Sequence, residues 1–217
     1  MNKNIIFSIL VAVALVGLVY IFFYGNSTVE LGSDELYWAR ALVSDDWSLS
    51  ECPWPESSTR EFYNSWPVAF PPMFGLAVRA AVVAIPNKIF ALKFIPALFG
   101  LLSVWTIYLL FTHFVPRKLA FISAAFVGAM SDKLIHYSKS VKHYSIDVFF
   151  SAFVSYAGLS VIRNETAKSW ALFTFIAAIS IWFAFAPMYI IAPYYIYILY
   201  QIIRNKSYSL KYFTTSA

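Results

Sequence analysis

Two adjacent acids, Asp34 and Glu35, lie in the run Leu31-Gly32-Ser33-Asp34-Glu35-Leu36-Tyr37-Trp38, shortly after a long apolar block. A carboxylate pair held near a bilayer surface can act as a general base or bind a divalent cation. The same acids, behind Ser33 as a cap, would also favour the first turn of a helix through its dipole. A second group is the basic, tyrosine-rich stretch from His136 to Asp147, which holds Tyr137, Lys139, Lys142, His143 and Tyr144. If the next span starts near Lys139, then Lys139, Lys142, His143 and Asp147 share one helical face. Basic groups and one carboxylate would then sit where a lipid phosphate sits, and charges entering a span usually face a polar cavity. The plainer alternative is lysines snorkelling to the interface. A third feature is Pro71-Pro72, which fixes the entry of the chain into a helix and so sets where the acidic segment can lie.

The elements that must position these residues follow from the apolar blocks. The first, 5–24, is about 30 Å long as a helix, enough to cross the hydrocarbon core. It lacks the short apolar region and small-residue cleavage site of a signal peptide, so it is expected to be an uncleaved anchor. Further blocks at 89–114, 119–130, 144–162, 170–185 and 188–203 bring the expected crossings to about six. The 119–130 block is short, and by itself would be re-entrant or interfacial. Lipid-exposed backbone must satisfy its own hydrogen bonds, and these blocks are too long and unalternating for barrel strands, so the fold class is all-α. Between the first two blocks, 25–87 forms a long loop with eight of the eleven acids. It is expected to contain a helix over 34–43 and a second over 72–84. The second has an apolar side formed by Phe74, Leu76, Ala77, Ala80 and Val83, and is expected to lie along the membrane surface. The N-terminus is expected inside. The inner segments then carry eight basic residues against Glu165 alone, and the acidic loop faces the outside.

Composition excludes several classes. With 60% of 217 residues apolar and 12% charged, there is too little charge to cover a soluble surface. Residues 1–217 therefore read as a single transmembrane domain. The single cysteine, Cys52, rules out a disulfide framework, and His113, His136 and His143 are too scattered for a metal centre. The net charge of +5 belongs to the inner membrane face rather than to nucleic acid, since no basic run exceeds a few residues.

Taken in order, these features resemble the GT-C superfamily of membrane glycosyltransferases, in the branch of protein O-mannosyltransferases and aminoarabinose transferases. Asp34-Glu35 matches the acidic pair of the first outer loop. Phe70-Pro71-Pro72-Met73 matches the proline pair that starts the second surface helix. The stretch from Tyr137 to Asp147 matches the segment leading into the fourth span. The resemblance implies transfer of a sugar from a polyprenyl-phosphate carrier to an acceptor on the outer face of the membrane. It implies Asp34 as the base that activates the acceptor, with Glu35 in support through a divalent cation. It also implies Lys139, Lys142, His143 and Tyr144 around the carrier phosphate, with Tyr137, Asp147, Pro71 and Pro72 supporting. Two departures stand against it: Ser140 occupies the position of an acid in the family, and family members are generally longer. The competing expectation is a non-catalytic membrane subunit or a fragment on the same scaffold, working with a partner subunit. A transporter would need broken or charged mid-membrane segments, and the blocks offer few beyond Pro96, Pro187 and Pro193.

Overall fold

A computed structural model describes residues 3–24, 71–164 and 166–204, and every regular element within them is a helix. Helix α1 (Lys3–Phe23) is apolar all round. Helix α2 (Pro72–Ala84) starts with a proline in its first turn, where a missing N–H costs nothing. Helix α3 (Lys88–Phe111) is capped by Asn87, whose Oδ1 accepts from the Phe90 amide at 2.9 Å. Helix α4 (Arg117–Met130) ends at Ser131, which caps the short α5 (Asp132–Ser138) by accepting from the Leu134 amide. The chain bends by 67° between them. Helix α6 (Tyr144–Asn164) follows, then α7 (Ala167–Phe183), which opens on a capping box in which Thr166 and Ser169 satisfy each other's amides. Helix α8 (Pro187–Arg204) completes the described residues.

The helices agree with the apolar blocks of the sequence, and α2 spans the expected 72–84. Two of them, α3 and α6, are long and apolar enough to cross a bilayer. A third span is added if the bent α4–α5 pair counts as one. The described residues are thus all-helical, with two or three helices suited to crossing a membrane.

Packing centres on α3 and α6. One core cluster joins α2, α3 and α6 through Phe74, Val78, Leu92, Ile146 and Phe150, with Val141 and Ala184 added from loops. A second joins α6, α7 and α8 through Val154, Ala157, Phe173 and Ile191. A third sets α1 against α3, α4 and α5 through Leu18, Phe22, Val104, Ala124 and Leu134. Small residues allow the closest approaches: a β-carbon at Gly158 would fall 2.5 to 2.8 Å from the Tyr194 ring.

One conditional expectation is not met. The helix begins at Tyr144, as the 144–162 block has it, and not near Lys139, because 139–143 is not helical. The common face of Lys139, Lys142, His143 and Asp147 is therefore not formed, and only His143 and Asp147 meet as an i, i+4 pair. The apolar side expected to turn α2 toward the membrane surface is, Phe74 apart, separate from its core face. Phe74, Val78, Ala81 and Val82 are buried, whereas Leu76 and Val83 are exposed, Val83 by 86%. The helix has two apolar faces, and hydrophobicity alone does not say which one meets protein.

Candidate functional site

The expected site residues divide into two groups. Asp34 and Glu35, with the expected 34–43 helix, lie outside the described residues. The basic stretch and the proline pair lie inside them, and they meet at one end of the bundle.

The meeting point is the break between α5 and α6. Helix α5 ends at Ser138, with Lys139 as its C-cap. Ser140 is buried, and its hydroxyl donates to the His136 carbonyl at 3.0 Å. Residues 139–143 then turn the chain so that α6 can start at Tyr144. The side chains around this break form an aromatic and basic cluster. The Tyr137 and Tyr144 rings meet edge to face at 4.8 Å, and Lys142 Nζ lies 5.9 Å from the centre of the Tyr144 ring.

His143 is the centre of the cluster. Its ring contacts Phe74 at 6.2 Å, Tyr144 at 5.0 Å and Phe185 at 5.5 Å between centroids. Phe74 is delivered by the proline pair: Pro71 is fully buried and its carbonyl accepts the Phe74 amide at 3.1 Å, while Pro72 is exposed in the first turn. Burial pushes the His143 imidazole below the ordinary histidine range, and the neighbouring Asp147 carboxylate pulls it back up. Its Nε2 lies 3.5 Å from Asp147 Oδ2. The other oxygen, Oδ1, accepts from the backbone amides of Phe185 at 2.8 Å and Ala186 at 3.1 Å. The structure therefore brings together Tyr137, Lys142, His143, Tyr144, Asp147 and the Pro71–Phe74 helix start.

A shallow, open groove of about 380 Å³ lies beside this cluster and shares Asp147 with it. Asp147 lies at its head, Val148, Ser151 and Ser155 of α6 line its length, and Leu110 of α3 and Ile190 of α8 form its sides. Its wall is almost wholly apolar.

One charged residue escaped the sequence reading. Lys93, on α3, is 1% exposed. A buried ammonium is tolerated only with polar or anionic company. The signal was present, because Lys93 interrupts the 89–114 block, where a charge is expensive. At the opposite end, His113 Nε2 is 3.3 Å from Ser160 Oγ and the Arg163 guanidinium lies over Phe114. Burial and the Arg163 charge both lower the His113 imidazole. The histidines do not converge. Among the described residues no group of three His, Cys, Asp or Glu could hold a metal ion. Glu35 lies outside them, so no step is routed through a divalent cation.

No family model, curated protein or solved structure matches the chain. The chemistry of the cluster therefore has to stand on its own residues.

Proposed function

We propose that the chain is a glycosyltransferase of the GT-C type. It takes a sugar from a polyprenyl-phosphate carrier and passes it to an acceptor on the outer face of the membrane. The observation that carries this reading is the convergence of the basic stretch and the proline-started helix around His143, whose partner Asp147 lines an adjacent apolar groove. A lipid-linked phosphate needs both features: cations for the head and an apolar path for the chain. The groove is of the size that holds part of such a ligand.

In this reading about six segments cross the membrane with the N-terminus inside, and α2 lies along the outer surface. The second apolar face of α2, with Leu76 and Val83, suits contact with lipid there. Lys142 and His143, with Lys139 beside them, offset the charge that grows on the phosphate as the sugar leaves. The Tyr144 ring faces the Lys142 ammonium, and Tyr137 packs edge to face on Tyr144. Asp34 takes the proton of the acceptor hydroxyl, so that its oxygen bonds the sugar's anomeric carbon as the bond to the phosphate breaks. Glu35 supports Asp34.

Lys142→Ala is expected to weaken carrier binding about tenfold or more, the usual loss for one charge-assisted contact to an anion. Titration of the full chain in nanodiscs with a polyprenyl phosphate checks this, and an unchanged Kd overturns the phosphate role. A second reading has one observation in its favour. Ser140 stands where the family has an acid, and its hydroxyl is committed to a backbone carbonyl. That substitution suits a non-catalytic subunit on the same scaffold, which would bind the carrier and transfer nothing.

A further inference from the structure

The residues before α8 cannot cap it. The chain reads Ala184-Phe185-Ala186-Pro187, with no Ser, Thr, Asp or Asn to receive the first free amides of the helix. Pro187 has no N–H to satisfy, and the amides of Met188 and Tyr189 donate to the carbonyls of Phe185 and Ala186, which leaves the amides of Phe185 and Ala186 in the turn before the helix. Both donate to one atom, Asp147 Oδ1, from a residue 38 and 39 positions earlier on α6. The positive end of the α8 dipole also favours a carboxylate at this place. The other oxygen of the same carboxylate faces His143 Nε2, and the Phe185 ring stands at 85° to the His143 ring.

We propose that Asp147 is a positioning residue that caps α8 from across the bundle and orients the His143 imidazole with the same carboxylate. The α7–α8 turn and the basic stretch then move as one unit. Oδ1 fixes the turn, the turn fixes Phe185, and Phe185 closes one side of the His143 ring. Oδ2 turns Nε2 of that ring toward itself. Only the purpose of the unit, which is to present His143 beside a carrier phosphate, rests on the glycosyltransferase reading; the coupling does not. Groups in contact with the ring include Phe74 from α2, Tyr144 and Asp147 from α6, and Phe185 from the turn. Asp147 is the acidic one among them.

The test uses the full chain in lipid nanodiscs, with two readouts that need no substrate. The first is amide exchange of the peptide containing Phe185 and Ala186. The second is the titration of the His143 ring in histidine-labelled protein, assigned through His143→Gln. In Asp147→Ala, exchange is expected to rise about tenfold, as for the loss of one net hydrogen bond to a charged group. His143 is expected to titrate at lower pH, because the carboxylate that opposes its burial is gone. Asp147→Asn keeps an oxygen acceptor and loses the charge, so exchange rises less while the His143 titration still falls. Wild-type behaviour in both readouts of Asp147→Ala overturns the proposal, and so does movement of one readout alone. If Asp147→Ala does not insert, an unshifted His143 titration in Asp147→Asn overturns it. Absence of sugar transfer in the wild-type chain would count against the enzyme reading and would leave these two signals to decide the coupling.

Discussion

Asp34→Asn is expected to lower sugar transfer by about two to four orders of magnitude, the range over which a positioned general base contributes. Asn has nearly the same shape and cannot take a proton. Because the change keeps the size and shape of the side chain, insertion and helix content should stay at wild-type levels. Carrier affinity should also stay unchanged, because the proposed phosphate contacts belong to the 139–144 stretch. Initial rates at saturating donor, with circular dichroism and donor binding on the same preparations, separate these effects. Retained turnover removes Asp34 as the base. A loss of donor binding equal to the loss of rate moves Asp34 into the binding site instead.

The second large effect is structural and lies beside the site. Gly100 is on the buried side of α3, where a β-carbon would collide with the Ser138 side chain and lie 2.9 Å from the Phe22 ring. Ser138 is the last residue of α5, directly before the 139–143 turn. Its hydroxyl is already committed to the Leu134 carbonyl. Gly100→Ala is therefore expected to destabilise the protein by about 1–3 kcal/mol, as overpacking of a tight core does. Gly100→Val is expected to exceed that range. Because the displaced element leads into Lys139 and Lys142, carrier affinity should fall with stability. Thermal unfolding in detergent measures the first effect and donor titration the second. Gly100→Ala combined with Ser138→Gly removes the two nearest colliding atoms, leaving only the Phe22 ring to shift, and should recover much of the loss, after about 1 kcal/mol for glycine in a helix. Full stability in Gly100→Ala alone would mean that α3 and α5 do not pack this closely.

Much of the fold could be read from the sequence because membrane-spanning helices announce themselves by length. The 89–114 and 144–162 blocks became α3 and α6, and Pro71-Pro72 fixed the start of α2. What could not be read was tertiary. The 139–143 break has the same residue types as a helix start, and it is open because α5 ends against Gly100 and α6 begins anew. The core face of α2 could not be picked out, because Leu76 and Val83 on the exposed side are as apolar as Val78 and Ala81 on the buried one. Asp147 looked like one more charge on a basic face. Its true partners, the amides of Phe185 and Ala186, carry no side-chain signal at all. Lys93 was legible in principle, as the one charge well inside the 89–114 block, and its burial gives that position weight.

The most direct measurement uses membranes containing the full chain and a polyprenyl-phosphate sugar labelled in the sugar. Label is followed into water-soluble, lipid and protein acceptors offered on each face of the vesicle, with Asp34→Asn as control. The expected result is label leaving the carrier for an acceptor on the face opposite the N-terminus, at a rate that Asp34→Asn abolishes. Label that stays on the carrier with every acceptor, in vesicles where binding of the carrier is intact, would contradict transfer and leave a carrier-binding subunit in its place.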